Sequence, residues 1–214
     1  MLKLNSCKRT LFQMTIVEVT DEVAEELRNS DFTPLFLDNC LNSKFLAVEF
    51  NNQKIIGACF VGGLLNSNGI EIKEEFRGKG LGKKLLSEIL KECQKRRISF
   101  LVGVFKPTNA ISIKTHLKIG YRPLFTVNYN KEEGKEIVVI LPFNKKGSLL
   151  MRFLTLFNFR IGNIIFAILM EILRPFLKGF IAFSADEMPK IDFFYCAKNF
   201  EKVQKTLEDI QVKV

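Results

Sequence analysis

Ile70-Glu71-Ile72-Lys73, Glu74-Glu75-Phe76, Arg77-Gly78-Lys79-Gly80-Leu81-Gly82 and KKLLSEILKECQKRR (83–97) follow one another without a break. The first segment alternates β-branched with charged residues, which predicts a strand. From Leu81 to Arg97 the apolar residues Leu81, Leu85, Leu86, Ile89, Leu90 and Cys93 fall on one face of a helix, with lysines and glutamates on the other. Between strand and helix lies a basic turn holding Gly78, Gly80 and Gly82. Strand, glycine-rich turn and helix in that order predict an α/β chain, and they make the turn the first place to look for a ligand.

Glycine lets a backbone approach a bulky anion closely. A helix N-terminus adds N–H groups without intrahelical partners and the positive end of the dipole. Lys79, Lys83 and Lys84 supply charge suited to the phosphates of an ADP group. Two common phosphate-binding loops fail on individual residues. A P-loop needs glycine where Arg77 stands and Ser or Thr where Lys84 stands, and a dinucleotide fingerprint begun at Gly78 and Gly80 meets Lys83 at its third glycine.

Upstream, MTIVEV (14–19) alternates and predicts a strand, Thr20-Asp21 caps the helix VAEELRNS, and Pro34 opens a second helix, PLFLDNCL. KFLAVEF, the turn Asn51-Asn52-Gln53 and KIIGACFVGG read as a hairpin, with LNSNG leading into the 70–73 strand. Downstream, ISFLVGVF (98–105) reads as a buried strand, which Pro107-Thr108-Asn109 ends while capping the helix AISIKTHLKI, closed by Gly120. YRPLFTVNYN and EIVVILPF are two more strands, joined by the turn-like KEEGK. The strand–helix–strand order over 69–105 implies a right-handed crossover and a parallel pair. The expected class for residues 14–143 is α/β, a mixed and mostly antiparallel sheet with helices on both faces.

The turn R-x-x-G-x-G, opening a helix after the strand that ends at Ile72, resembles that of the GNAT acetyltransferase superfamily, [RQ]-x-x-G-x-[GA]. A second GNAT pattern, N-x(6)-Y-x(3)-G-[FY], is matched in spacing by Asn109, His116 and Gly120-Tyr121, with His116 where tyrosine is usual. The resemblance covers residues 14–143. It implies a GNAT-like sheet with a splayed central parallel strand pair. It also implies acetyl-coenzyme A as co-substrate, held by Ile70, Glu71, Ile72 and Asn109 together with Arg77, Gly78, Lys79, Gly80, Leu81 and Gly82. An amine of a small molecule or peptide would then attack the thioester directly in a ternary complex. A backbone N–H of residues 70–72 would stabilise the oxyanion, and Asn109 would meet the pantetheine or thiol end. His116 takes the position of the tyrosine that protonates the leaving thiolate, a task imidazole can also perform. For the base, alternation turns Glu71 away from Ile70 and Ile72, with Glu74 and Glu75 as runners-up.

The chain has 214 residues, enough for this domain, expected over 1–145, and a C-terminal extension over 146–214. Phenylalanine is abundant, 21 against 3 tyrosines and no tryptophan, and many lie in the extension. Within 148–183 the longest uncharged run, Ile161–Met170, is too short for a bilayer span of about 20 residues. Arg160, Asn163, Ala167, Glu171, Arg174 and Lys178 form a narrow polar stripe on an otherwise apolar helix, kinked or broken near Pro175. IDFFYCA and NFEKVQKTLEDI then read as a strand and a helix. Three arrangements would cover the apolar arc: the wall of an acceptor site, a peripheral membrane contact at the inner face, or a core or homodimer interface.

The formal charge of +9 suits an acidic partner, yet no run of five like charges and no basic–aromatic motif points to nucleic acid. Cys7, Cys40, Cys59, Cys93 and Cys196 contain no C-x-x-C pair, and one histidine cannot complete a zinc site with them, so no metal is expected. Scattered thiols and an N-terminus without an apolar signal core predict a cytoplasmic protein. Two other functions stay open at this point: a membrane-associated acyltransferase acting on a lipid-linked or envelope precursor, and a non-catalytic acyl-coenzyme A-binding protein.

Overall fold

The computed structural model describes residues 13–63, 65–106, 108–128, 135–156, 160–173 and 190–192. They fall into two compact units, Met1–Gly63 with Asn68–Arg96, and Leu64–Ser67 with Arg97–Val214.

The first unit holds β1 (Gln13–Val17), α1 (Asp21–Arg28), α2 (Pro34–Leu41), β2 (Ser43–Asn51), β3 (Lys54–Gly62), most of β4 (Ser67–Ile72), and α3 (Leu81–Lys95). Its strands lie in the order β1-β2-β3-β4, with the first two pairings antiparallel. The β2–β3 hairpin closes on Asn52 and Gln53, both left-handed (φ 47° and 71°), as a two-residue turn between right-twisted strands requires. Phe45–Val48 and Ile55–Val61 are buried almost without interruption because helices cover both faces. On one face Phe60 packs on Phe36 of α2; on the other a Cβ at Gly57 would strike Ile72 and Leu85 of α3. Leu85, Leu86, Ile89 and Cys93 are the fully buried part of the predicted α3 stripe. Cys40, Cys59 and Cys93 are free buried thiols of this core, and burial pushes all three up, Cys93 to about 12.

The second unit holds β5 (Phe100–Phe105), α4 (Ala110–Ile119), β6 (Arg122–Asn128), β7 (Lys135–Pro142), α5 (Lys145–Thr155), α6 (Arg160–Leu173) and β8 (Lys190–Asp192). Its strands lie β5-β7-β6-β8, antiparallel at every step. Val102, Leu124, Val138 and Ile140 form its core, against which α5 packs Leu150, Met151 and Leu154. Asn144 caps α5 by accepting from the amides of Lys146 and Gly147, and its own amide donates to Ser99. Gly147 sits so close to residue 99 that a Cβ there would lie 2.0 Å from the Ser99 carbonyl oxygen. Gly147→Ala must therefore move backbone, and urea unfolding is expected to show a loss of about 1–3 kcal/mol.

Two expectations are corrected. The strand of residues 70–73 begins earlier, at Ser67, because Asn66 (φ 48°) makes the turn and anchors it: its carbonyl accepts from Val102 N and its side-chain amide donates to Phe100 O. The apolar extension also forms two helices rather than one, α5 ending at its C-cap Leu156 and α6 starting at Arg160. One continuous helix would put Ile161 on the stripe of partly buried Leu150 and Leu154, whereas Ile161 is exposed. Pro107, the KEEGK turn up to Gly134, Pro175, Arg174, Lys178, the end of IDFFYCA and the helix NFEKVQKTLEDI lie outside the described residues.

Candidate active site

In the first unit the glycine-rich turn sits where the sequence put it. A short 3-10 turn, Glu74–Phe76, leads from β4 into Arg77, and α3 starts after Gly80. Gly78 and Gly80 both take left-handed φ, 76° and 77°, and a Cβ on either would meet nothing within 4 Å. Backbone conformation thus favours glycine, and the space above the turn is open. Gly80 is the N-cap of α3 and brings no capping side chain, so the first-turn amides of Leu81, Gly82 and Lys83 have neither an intrahelical nor a side-chain acceptor from the cap.

The basic residues divide their tasks. Arg77 Nε donates to the carbonyl of Ile72 at 3.1 Å, fastening the turn to the end of β4. Lys79 lies over the Phe76 ring, 4.9 Å from its centroid. Lys84 stands 3.4 Å from the carboxylate of Glu49, whose side chain is 0% exposed, and so neutralises a buried anion. Lys83 is exposed beside Gly82.

Along β4, Ile70 and Ile72 turn toward α3, since Ile70 lies nearest Gly82 and Ile72 nearest Gly57. Glu71 turns to the other face, as alternation predicts, and is met there by Thr33. The Thr33 amide donates to one carboxylate oxygen at 2.9 Å and its hydroxyl to the other at 2.6 Å. Thr33 is the N-cap of α2, so Glu71 also places negative charge at a helix N-terminus. Sequence reading missed Thr33, although a threonine before Pro34 is an ordinary helix-start signal.

Asn109 and His116 lie together on α4 in the second unit. Asn109 is the N-cap, its Oδ1 accepting from Ser112 N at 3.1 Å. His116 is 4% exposed, its ring 4.4 Å from that of Phe105 and 4.9 Å from that of Tyr121. Tyr121 reaches it because Gly120 (φ 109°) reverses the chain at the end of α4, with Tyr121 N donating to His116 O. His116 Nδ1 lies 2.7 Å from the carbonyl of Ser112. A carbonyl only accepts, so Nδ1 carries the hydrogen and Nε2 of the neutral ring holds a lone pair. Nε2 is buried without a hydrogen-bond partner. Burial pushes the imidazole below its ordinary 6.5, an effect only partly offset by Ser112.

The family model for the Acetyltransferase (GNAT) family matches residues 14–121, just over half of the 214 residues. The chain belongs to the GNAT acetyltransferase family. Solved structures bear the same fold. The ribosomal-protein-S18-alanine N-acetyltransferase from Escherichia coli has a TM-score of 0.50 at 17% identity, over 62% of this chain and 95% of that one. An acetyltransferase of the GNAT family from Streptococcus pneumoniae has 0.50 at 19%, over 62% and 100%. Arabidopsis thaliana Naa50, in complex with the bisubstrate analogue CoA-Ac-MVNAL, has 0.50 at 20%, over 61% and 99%. No curated protein matches the sequence. The GNAT match ends at Tyr121, so α5 and α6 lie beyond it. Among the described residues, no group of His, Cys, Asp and Glu could hold a metal ion, and no helix is long and apolar enough to cross a membrane.

Proposed function

We propose that this GNAT member transfers an acetyl group from acetyl-coenzyme A to a primary amine, on a small molecule or a peptide, by direct attack in a ternary complex. The start of α3 carries the reading. Two left-handed glycines hold a turn with open space above it, and three helix amides face that turn without a capping side chain. That arrangement suits a pyrophosphate. Naa50, which shares the fold, was solved with a coenzyme A-peptide analogue. Backbone amides of Ile70–Ile72 are our candidates for the oxyanion, and Asn109 for the thiol end.

We assign His116 to the thioester end on its position in the Asn109–Tyr121 motif, and its Nε2, with an acceptor lone pair and no partner in the protein, suits that role. As the amine nitrogen bonds the carbonyl carbon, Nε2 takes the amine proton. As the carbon–sulfur bond breaks, the imidazolium returns that proton to the thiolate. An amine and a thioester enter; an amide and a thiol leave. The donor role implied by the tyrosine position is therefore the second half of a cycle that His116 opens as a base.

For Glu71 we propose a positioning role, since both carboxylate oxygens are already bonded to Thr33. Glu71→Gln and Thr33→Ala are expected to lower stability by similar amounts, about 1 kcal/mol, with kcat within a few-fold of wild type. A large kcat loss confined to Glu71→Gln in a steady-state assay would restore Glu71 as the base. The function itself is tested by following thiol release from acetyl-coenzyme A with a panel of amines and peptides. Coenzyme A binding without thiol release across that panel would instead favour a non-catalytic binding protein.

A further inference from the structure

Nine of the eleven large apolar side chains exposed among the described residues fall between Leu149 and Ile172. On α5 and its C-cap these are Leu149, Phe153 and Leu156, opposite the face that Leu150, Met151 and Leu154 pack on the core. On α6 they are Ile161, Ile164, Ile165, Ile168, Leu169 and Ile172, spaced at three and four residues along one side. Water-exposed branched residues in such density mark an interaction surface.

Charge indicates its occupant. From Lys145 to Leu173 the two helices carry Lys145, Lys146, Arg152 and Arg160 against a single acid, Glu171. Lys145, Lys146 and Arg152 are exposed on the helix that bears Leu149 and Phe153. A second copy of this surface would bring the same cations against themselves. An anionic lipid surface offers phosphates to the cations and acyl chains to the isoleucines. No described helix is long enough to span, and a helix of 14 residues, about 21 Å, is suited to lying in the interface.

We propose that α5 and α6 dock this protein on the surface of an anionic lipid bilayer. The proposal rests on the extension alone and holds whichever amine is acetylated. It is tested by co-sedimenting the full chain with vesicles of phosphatidylcholine containing about one-third phosphatidylglycerol, and with vesicles of phosphatidylcholine alone. The chain is expected to pellet with the anionic vesicles only, and to be released by high salt. Ile164→Glu with Ile168→Glu should lower the bound fraction at least about tenfold, and so should Lys145→Glu with Lys146→Glu, both leaving coenzyme A binding intact. The lysine pair is exposed and keeps the test valid if the isoleucine variant fails to fold. Equal binding to neutral vesicles, or indifference to the lysine reversal, overturns the proposal. So does absence of sedimentation, and if size-exclusion chromatography then shows a dimer that Ile164→Glu dissolves, the surface belongs to a second copy.

Discussion

Gly80→Glu is expected to reduce coenzyme A affinity at least about 100-fold in calorimetry, which corresponds to about 2.7 kcal/mol. The substitution does two separable things. It forces an L-residue into a backbone with φ of 77°, and it sets a carboxylate where a pyrophosphate would meet the α3 amides. Gly80→Ala isolates the first effect, because a Cβ there meets no atom within 4 Å. The alanine variant should lose about 1 kcal/mol of stability while retaining most of its affinity. If Gly80→Glu binds like wild type, the start of α3 is not the phosphate site, and the proposed acetyl transfer loses its principal support.

The second large effect concerns His116. His116→Ala should lower kcat by about 10²–10⁴ while coenzyme A affinity stays within a few-fold. The pH profile identifies the direction of proton transfer. A base must start neutral, and burial places this imidazole below 6.5. The kcat is therefore expected to rise through the acid range and to flatten above that value. A ring that had to start protonated would instead give a kcat that falls as pH rises. Stability follows the same group with its own sign. The unfolded histidine binds its proton more tightly than the folded one, so His116 destabilises the fold as pH drops below 6.5. His116→Gln should reduce that part of the acid sensitivity in urea titrations at several pH values.

The parts of this protein that could be read from sequence are those governed by periodicity and by turn chemistry. The α3 stripe, the Asn52-Gln53 hairpin, the alternation that turns Glu71 from Ile70 and Ile72, and the closing glycine at position 120 are all local, and all are found. What was hidden depends on partners distant in the chain. Thr33 and Glu71 are 38 residues apart, and no periodicity links them. Gly147 looks like an ordinary glycine until the neighbouring Ser99 backbone shows why no side chain fits. The tautomer of His116 was nearer to hand, since Ser112 precedes it by one helical turn, but its burial came only with Phe105 and Tyr121. The division into α5 and α6 escaped because an apolar run shows helix readily and a change of covered face poorly.

The three core cysteines have a practical consequence at the bench. A thiol whose pKa burial pushes well up, to about 12 for Cys93, and which is closed off from water presents almost no thiolate to a chromogenic disulfide at neutral pH. Cys40, Cys59 and Cys93 should therefore stay silent while such a reagent counts the coenzyme A set free in each turnover. The same three sulfurs become reactive when the first unit opens. Against a baseline taken before acetyl-coenzyme A is added, which absorbs any signal from Cys7 and Cys196, one reagent thus reads catalysis, and a later rise from these three thiols reads unfolding.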